Sequence, residues 1–183
     1  MSPWLFPTLA VVACLVAAIT DLRSGRIPIK LTFSAIIIGL AGHSLIHGIA
    51  GLVESLLGAA ICAAVPGIVY KASDGRGIGG GDIKLFAALG ALLGPTQGLE
   101  SELSSFLLLG LFALFRLAFL GQLGRVLLGS LRVTTGVFIP RFRAARTEHD
   151  AAMTTMRMGP AILAAVLTVL SLPYVQRWLP WLG

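Results

Sequence analysis

Apolar runs dominate the chain and short polar connections divide them. Six runs can be drawn, over residues 4–20, 31–50, 52–70, 83–99, 103–123 and 159–176. Most approach the ~20 residues that a helix needs to cross the hydrocarbon of a bilayer. The fourth is marginal and is interrupted by Gly94-Pro95. The pattern predicts an all-α membrane protein, a polytopic bundle of about six transmembrane helices. Residues 1–183 then form a single membrane-embedded domain. Residues 124–158 are the only long polar stretch, and Pro140 breaks any continuous helix there.

Composition agrees with this pattern. Of the 183 residues, 56% are hydrophobic and 12% charged, and the mean hydropathy is +0.91. A soluble domain carries roughly 25% charged residues. The net charge of +6 could point to nucleic acid. Its distribution excludes that class, because the basic residues lie between the apolar runs and form no single patch. Twelve of the 14 Lys and Arg fall in three connections, those joining runs 1 and 2, 3 and 4, and 5 and 6. The connections around Ala50-Gly51 and from Gln97 to Glu102 contain none. The positive-inside rule places the basic connections in the cytoplasm and both termini outside. No basic residue precedes the first run, so it reads as a retained span. Cys14 and Cys62 lie inside apolar runs without a Cys-x-x-Cys pair and read as packed thiols.

Charged residues at a bilayer are costly and mark candidate chemistry. Asp21 closes the first run, in Thr20-Asp21-Leu22-Arg23, and Asp82 opens the fourth, in Gly79-Gly80-Gly81-Asp82. By the charge pattern both lie at the cytoplasmic surface. Alone, Asp21 reads as a solvated helix end and Asp82 as a helix N-cap. Together they suggest hydrolysis by an aspartate pair. Like charges at close range cannot both ionise, so one carboxyl holds a proton. The ionised partner takes a proton from water, and the protonated one polarises a scissile carbonyl. Neither a metal nor another cofactor is expected. Gly79, Gly80 and Gly81 suit close approach of a substrate backbone and tolerate positive φ. With Lys84 they form the candidate substrate-binding set.

Other motifs are weaker. Gly75-Arg76-Gly77-Ile78-Gly79-Gly80 fits the dinucleotide fingerprint, but no strand precedes it. Asp74-Gly75 reads as a turn. His43 and His47 have the i, i+4 spacing of metal ligands, with no third ligand apparent. Arg116 reads as a snorkelling residue. The acids leave a second class open, a small transporter subunit coupling protons or cations. Such a protein would carry them near the midplane, in broken helices.

These residues resemble a known family. Gly79-Gly80-Gly81-Asp82 resembles the G-x-G-D motif of membrane aspartyl proteases. The longer run from Gly81-Asp82-Ile83-Lys84 to Gly90 resembles the second motif of the prepilin peptidases, the type IV leader peptidase family. Asp21-Leu22-Arg23 followed by Arg26-Ile27-Pro28 resembles their first motif, although Ile29 stands where the family often has Asn. Met158-Gly159-Pro160 resembles the stretch opening their last helix. The resemblance implies an aspartic endopeptidase of the prokaryotic inner membrane with catalytic Asp21 and Asp82. Its substrates would be type IV prepilin-like precursors, cut at the cytoplasmic face to remove a basic leader. It also implies contact with pilus assembly machinery and the lipid bilayer, and none with nucleic acid. The chain is similar to the short form associated with Flp/Tad pili, or with archaeal preflagellin processing, which lacks the methyltransferase region. A presenilin-like protease cutting inside a transmembrane helix is the alternative enzyme, and the surface position of both acids argues against it.

Overall fold

The structure, a computed structural model, describes residues 4–72, 78–119 and 158–178. Among these residues there are four helices: α1 (Leu5–Ser24), α2 (Ile29–Ala72), α3 (Gly80–Phe119) and α4 (Gly159–Trp178). Among the described residues there is no strand. Helices α1 and α2, and α3 over Gly80–Phe115, are long and apolar enough to cross a membrane. Asp74, Arg76 and the stretch 124–157 lie outside the described residues, as does the Arg116 side chain.

Helices α2 and α3 contain 44 and 40 residues. Straight helices of that size would be about 60 Å or longer, roughly twice the hydrocarbon thickness. Both are broken. Gly48 has φ 63° and ψ −143°, and Gly94 has φ 79° and ψ 175°. Only glycine adopts such conformations cheaply. At each break the chain folds back. A Cβ on Gly51 would strike the His43 carbonyl, and one on Gly98 would lie 2.9 Å from the Gly90 Cα. Eight residues of straight helix would hold these pairs about 12 Å apart. Each helix is therefore a hairpin of two limbs, 29–47 with 49–72 and 80–93 with 95–119.

Hydropathy predicts the turns near 50–51 and 97–102, and the structure moves both. The first shifts slightly. The second falls at Gly94, so Gln97 to Glu102 is helix, with Ser101 and Glu102 fully buried. Backbone conformation at glycine, not local polarity, sets the reversal. Pro95 has no N–H, so the Ala91 carbonyl loses its helical donor. Ser55 supplies one, its Oγ donating to Ala91 O at 2.7 Å. His43 Nε2 stands 3.0 Å from the next carbonyl, Leu92 O. Side chains of α2 thus finish a helix end that lipid could not solvate.

The hairpins pack against each other by close backbone approach. A Cβ on Gly58 or Gly90 would overlap the other residue's carbonyl oxygen. Such small-residue contacts drive helix association where lipid removes the hydrophobic incentive. The core gathers Ala10, Cys14 and Ala17 of α1, Leu85, Phe86, Leu89 and Leu92 of α3, and Ile162 and Val166 of α4. Large apolar side chains such as Leu15, Ile37, Leu56, Ile68, Leu107 and Phe115 face outward. An apolar exterior of this extent suits lipid.

Candidate active site

Three buried stripes run to one end of the bundle. On α1, Ala10, Cys14, Ala17 and Asp21 are buried at helical spacing. On α3, Leu92, Leu89 and Leu85 lead back to Asp82. On α4, Val169, Val166 and Ile162 lead back to Gly159. Positions three and four apart share a helix face, so each stripe delivers its last residue to the same core. The packing that builds the core therefore brings Asp21, Asp82 and Gly159 together.

Asp21 is 8% exposed. Its carbonyl caps α1, accepting the N–H of Gly25 at 2.9 Å. Its carboxylate crosses to α4, where Oδ2 accepts the Gly159 N–H at 3.0 Å. The positive end of the α4 dipole thus faces the acid. Pro160 has no N–H to offer, and the first turn of a helix tolerates that loss. A Cβ on Gly159 would stand 3.0 Å from Ala18 Cα, Asp21 Cβ and Asp21 Oδ2. Glycine at this position lets α4 close on α1.

Asp82 lies in the first turn of α3 and is half-buried. Its N–H donates to Gly79 O at 3.0 Å, and the Gly79 amide donates to its carboxylate. The two aspartates are close enough for the charge of Asp21 to act on Asp82. Buried Ile27 packs against the start of α3, where a Cβ on Gly81 would stand 3.3 Å from Ile27 Cβ. The Arg26-Ile27-Pro28 segment thus braces the start of α3.

The glycines before Asp82 are used differently from the sequence expectation. The positive-φ glycines among the described residues are Gly25, Gly48 and Gly94, not Gly79, Gly80 or Gly81. Gly80 and Gly81 open the helix itself. Gly79 and Gly80 are exposed, and nothing stands within 4 Å of a Cβ on Gly80. Lys84 follows Asp82 by two positions, and such positions do not share a helix face.

His43 stacks on Phe6 with ring centroids 4.1 Å apart, and His47 lies 6.3 Å from His43. Among the described residues, no three His, Cys, Asp or Glu side chains cluster as metal ligands would. Sequence reasoning missed Ile27 as a brace and Gly159 as the partner of Asp21. The Gly-Pro opening of α4 was visible, but its contact with a residue 138 positions away is a matter of tertiary structure.

No curated protein and no solved structure matches the chain. The sequence model of the type IV leader peptidase family matches residues 8–123, which hold both aspartates. That match spans more than half of the molecule, and the chain belongs to the type IV leader peptidase family.

Proposed function

We propose that the protein is an aspartic endopeptidase that removes the basic leader from type IV prepilin-like precursors, of the Flp/Tad kind, at the cytoplasmic membrane face. Asp21 and Asp82 are the catalytic pair. The observation that carries this reading is the convergence of the two acids, 61 positions apart in sequence, at one end of the bundle, where each lies within electrostatic reach of the other. Family membership supports peptide-bond hydrolysis.

In the ground state one carboxyl is ionised and the other protonated. The ionised member takes a proton from the attacking water. The protonated member donates to the scissile carbonyl oxygen as the tetrahedral intermediate forms. Proton return to the amine completes the cleavage and restores the pair. The Gly159 and Gly79 amides hold the two carboxylates in place through the cycle. Exposed Gly79 and Gly80 offer a surface for the substrate backbone, and Lys84 borders it.

Orientation follows from charge. Arg23, Arg26, Lys30, Lys71 and Lys84 gather at the aspartate end, and residues 31–70 and 85–115 contain no Lys or Arg. The positive-inside rule assigns that end to the cytoplasm, with six limbs crossing the inner membrane. The acids stand at helix ends, which supports surface hydrolysis over a midplane transport site. The test is cleavage of a purified prepilin-like precursor by the purified protein in detergent, with the product ends mapped by mass spectrometry. A single cut behind the basic leader is expected. An intact precursor, or a cut within its hydrophobic segment, would overturn the proposal.

A further inference from the structure

Glu102 has no exposed surface, and neither of its carboxyl oxygens has a hydrogen-bond partner. The proposed hydrolysis does not use it. An unpaired buried acid calls for a physical account.

Helix register shows what it faces. A Cβ on Gly58 would lie 2.9 Å from the Gly94 carbonyl carbon, and one on Gly98 would lie 2.9 Å from Cys62 Sγ. Limbs 49–72 and 95–119 therefore run parallel, with Gly58 beside Gly94 and Cys62 beside Gly98. The next pair in that series is Pro66 and Glu102. Pro66 is fully buried inside its limb. Having no N–H, it leaves the Cys62 carbonyl, one turn earlier, without a helical donor. Helical carbonyls point toward the C-terminus, so this one is directed at the level of Glu102. Cys62 also lies within electrostatic reach of Glu102.

A carboxylate can only accept hydrogen bonds, and so can a carbonyl. The two can join only if a proton lies between them. No basic side chain among the described residues acts on Glu102 to offset a charge. On its own limb, the neighbouring hydroxyls are committed: Ser101 donates to Gln97 O at 2.8 Å and Ser105 to Ser101 O at 2.6 Å. From limb 49–72 the titratable group facing it is Cys62. An isolated charge in such an interior is costly.

We propose that Glu102 is a buried proton-binding site, whose carboxyl carries a proton and donates it to the Cys62 carbonyl stranded by Pro66. The bond ties the second limb of α2 to the second limb of α3. It also supplies a donor that a proline-containing helix inside a membrane must obtain from a neighbour. The inference is independent of the proposed substrate.

The test uses the full chain purified in detergent. An infrared difference spectrum between wild type and E102Q should show a protonated carboxylic acid band in the wild type at neutral pH. Sodium or potassium should not alter it. E102Q should melt with the wild type, because an amide can donate to the same carbonyl. E102L should lower the melting temperature by roughly 2–4 °C, the size expected for one lost hydrogen bond. In a P66A background, where residue 66 regains an N–H, that loss should largely vanish. A carboxylate band with no acid band, or sodium-dependent melting that E102Q abolishes, would overturn the proton site in favour of a cation site. An E102L penalty undiminished in P66A would overturn the assigned acceptor. If P66A does not accumulate, the infrared band decides.

Discussion

The aspartate end of the bundle and the interior around Glu102 place the same functional group in opposite settings. Asp21 and Asp82 lie at helix ends, each bonded to a glycine amide and each within electrostatic reach of the other. Glu102 lies within a helix, without such a donor. Only the first turn of a helix has free amides. An acid beside such a turn finds a backbone donor even where it is partly buried. An acid in mid-helix finds its neighbours' amides already spent. On the proposed mechanism, burial alone does not mark an acid for catalysis; access to unspent backbone donors and to a second acid does.

The contrast is sharpest under one chemical change. D21N and D82N should each reduce leader cleavage by at least about 100-fold, because Asn can neither ionise nor exchange the required proton. E102Q should leave cleavage close to wild type. The measurement is a gel-shift assay on variants matched for membrane insertion. Equal losses in all three would erase the distinction between the two regions. A smaller effect is expected from G159A. The added Cβ meets Asp21 and α1, so either the carboxyl or α4 must shift. Misplacement of this kind should lower kcat roughly 10- to 100-fold with little change in KM. Loss confined to KM would mean that Gly159 serves substrate binding. D74N should have the smallest effect, retaining most activity, since Asn also supports an Asp-Gly type turn. Its inactivation in the same assay would move the catalytic role to another acid of the connection.

The aspartates were legible because acids are rare in this chain and these two end apolar runs. Their periodic alignment with Ala10, Cys14 and Ala17, and with Leu85, Leu89 and Leu92, could also be read in advance. The hairpin turns were less legible. Hydropathy responds to side chains, whereas Gly48 and Gly94 turn the chain through backbone conformation. In the sequence, Glu102 ends the connection from Gln97 to Glu102, which contains no Lys or Arg. The structure separates its two acids: Glu100 is exposed and Glu102 buried, as residues two apart on a helix face different ways. The Gly159 contact required knowing that α4 packs on α1. That depends on small residues meeting across space, which no local pattern encodes.

The central claim is that the two aspartates act as one pair with one proton between them. Its most direct test is the pH dependence of single-turnover cleavage by the purified protein. At low pH both carboxyls are protonated and no base remains; at high pH both are ionised and no acid remains. The rate should therefore rise and then fall as pH increases, in a bell-shaped profile belonging to the pair. A rate that climbs to a plateau and stays there would show that a single ionised group suffices, and would contradict the account.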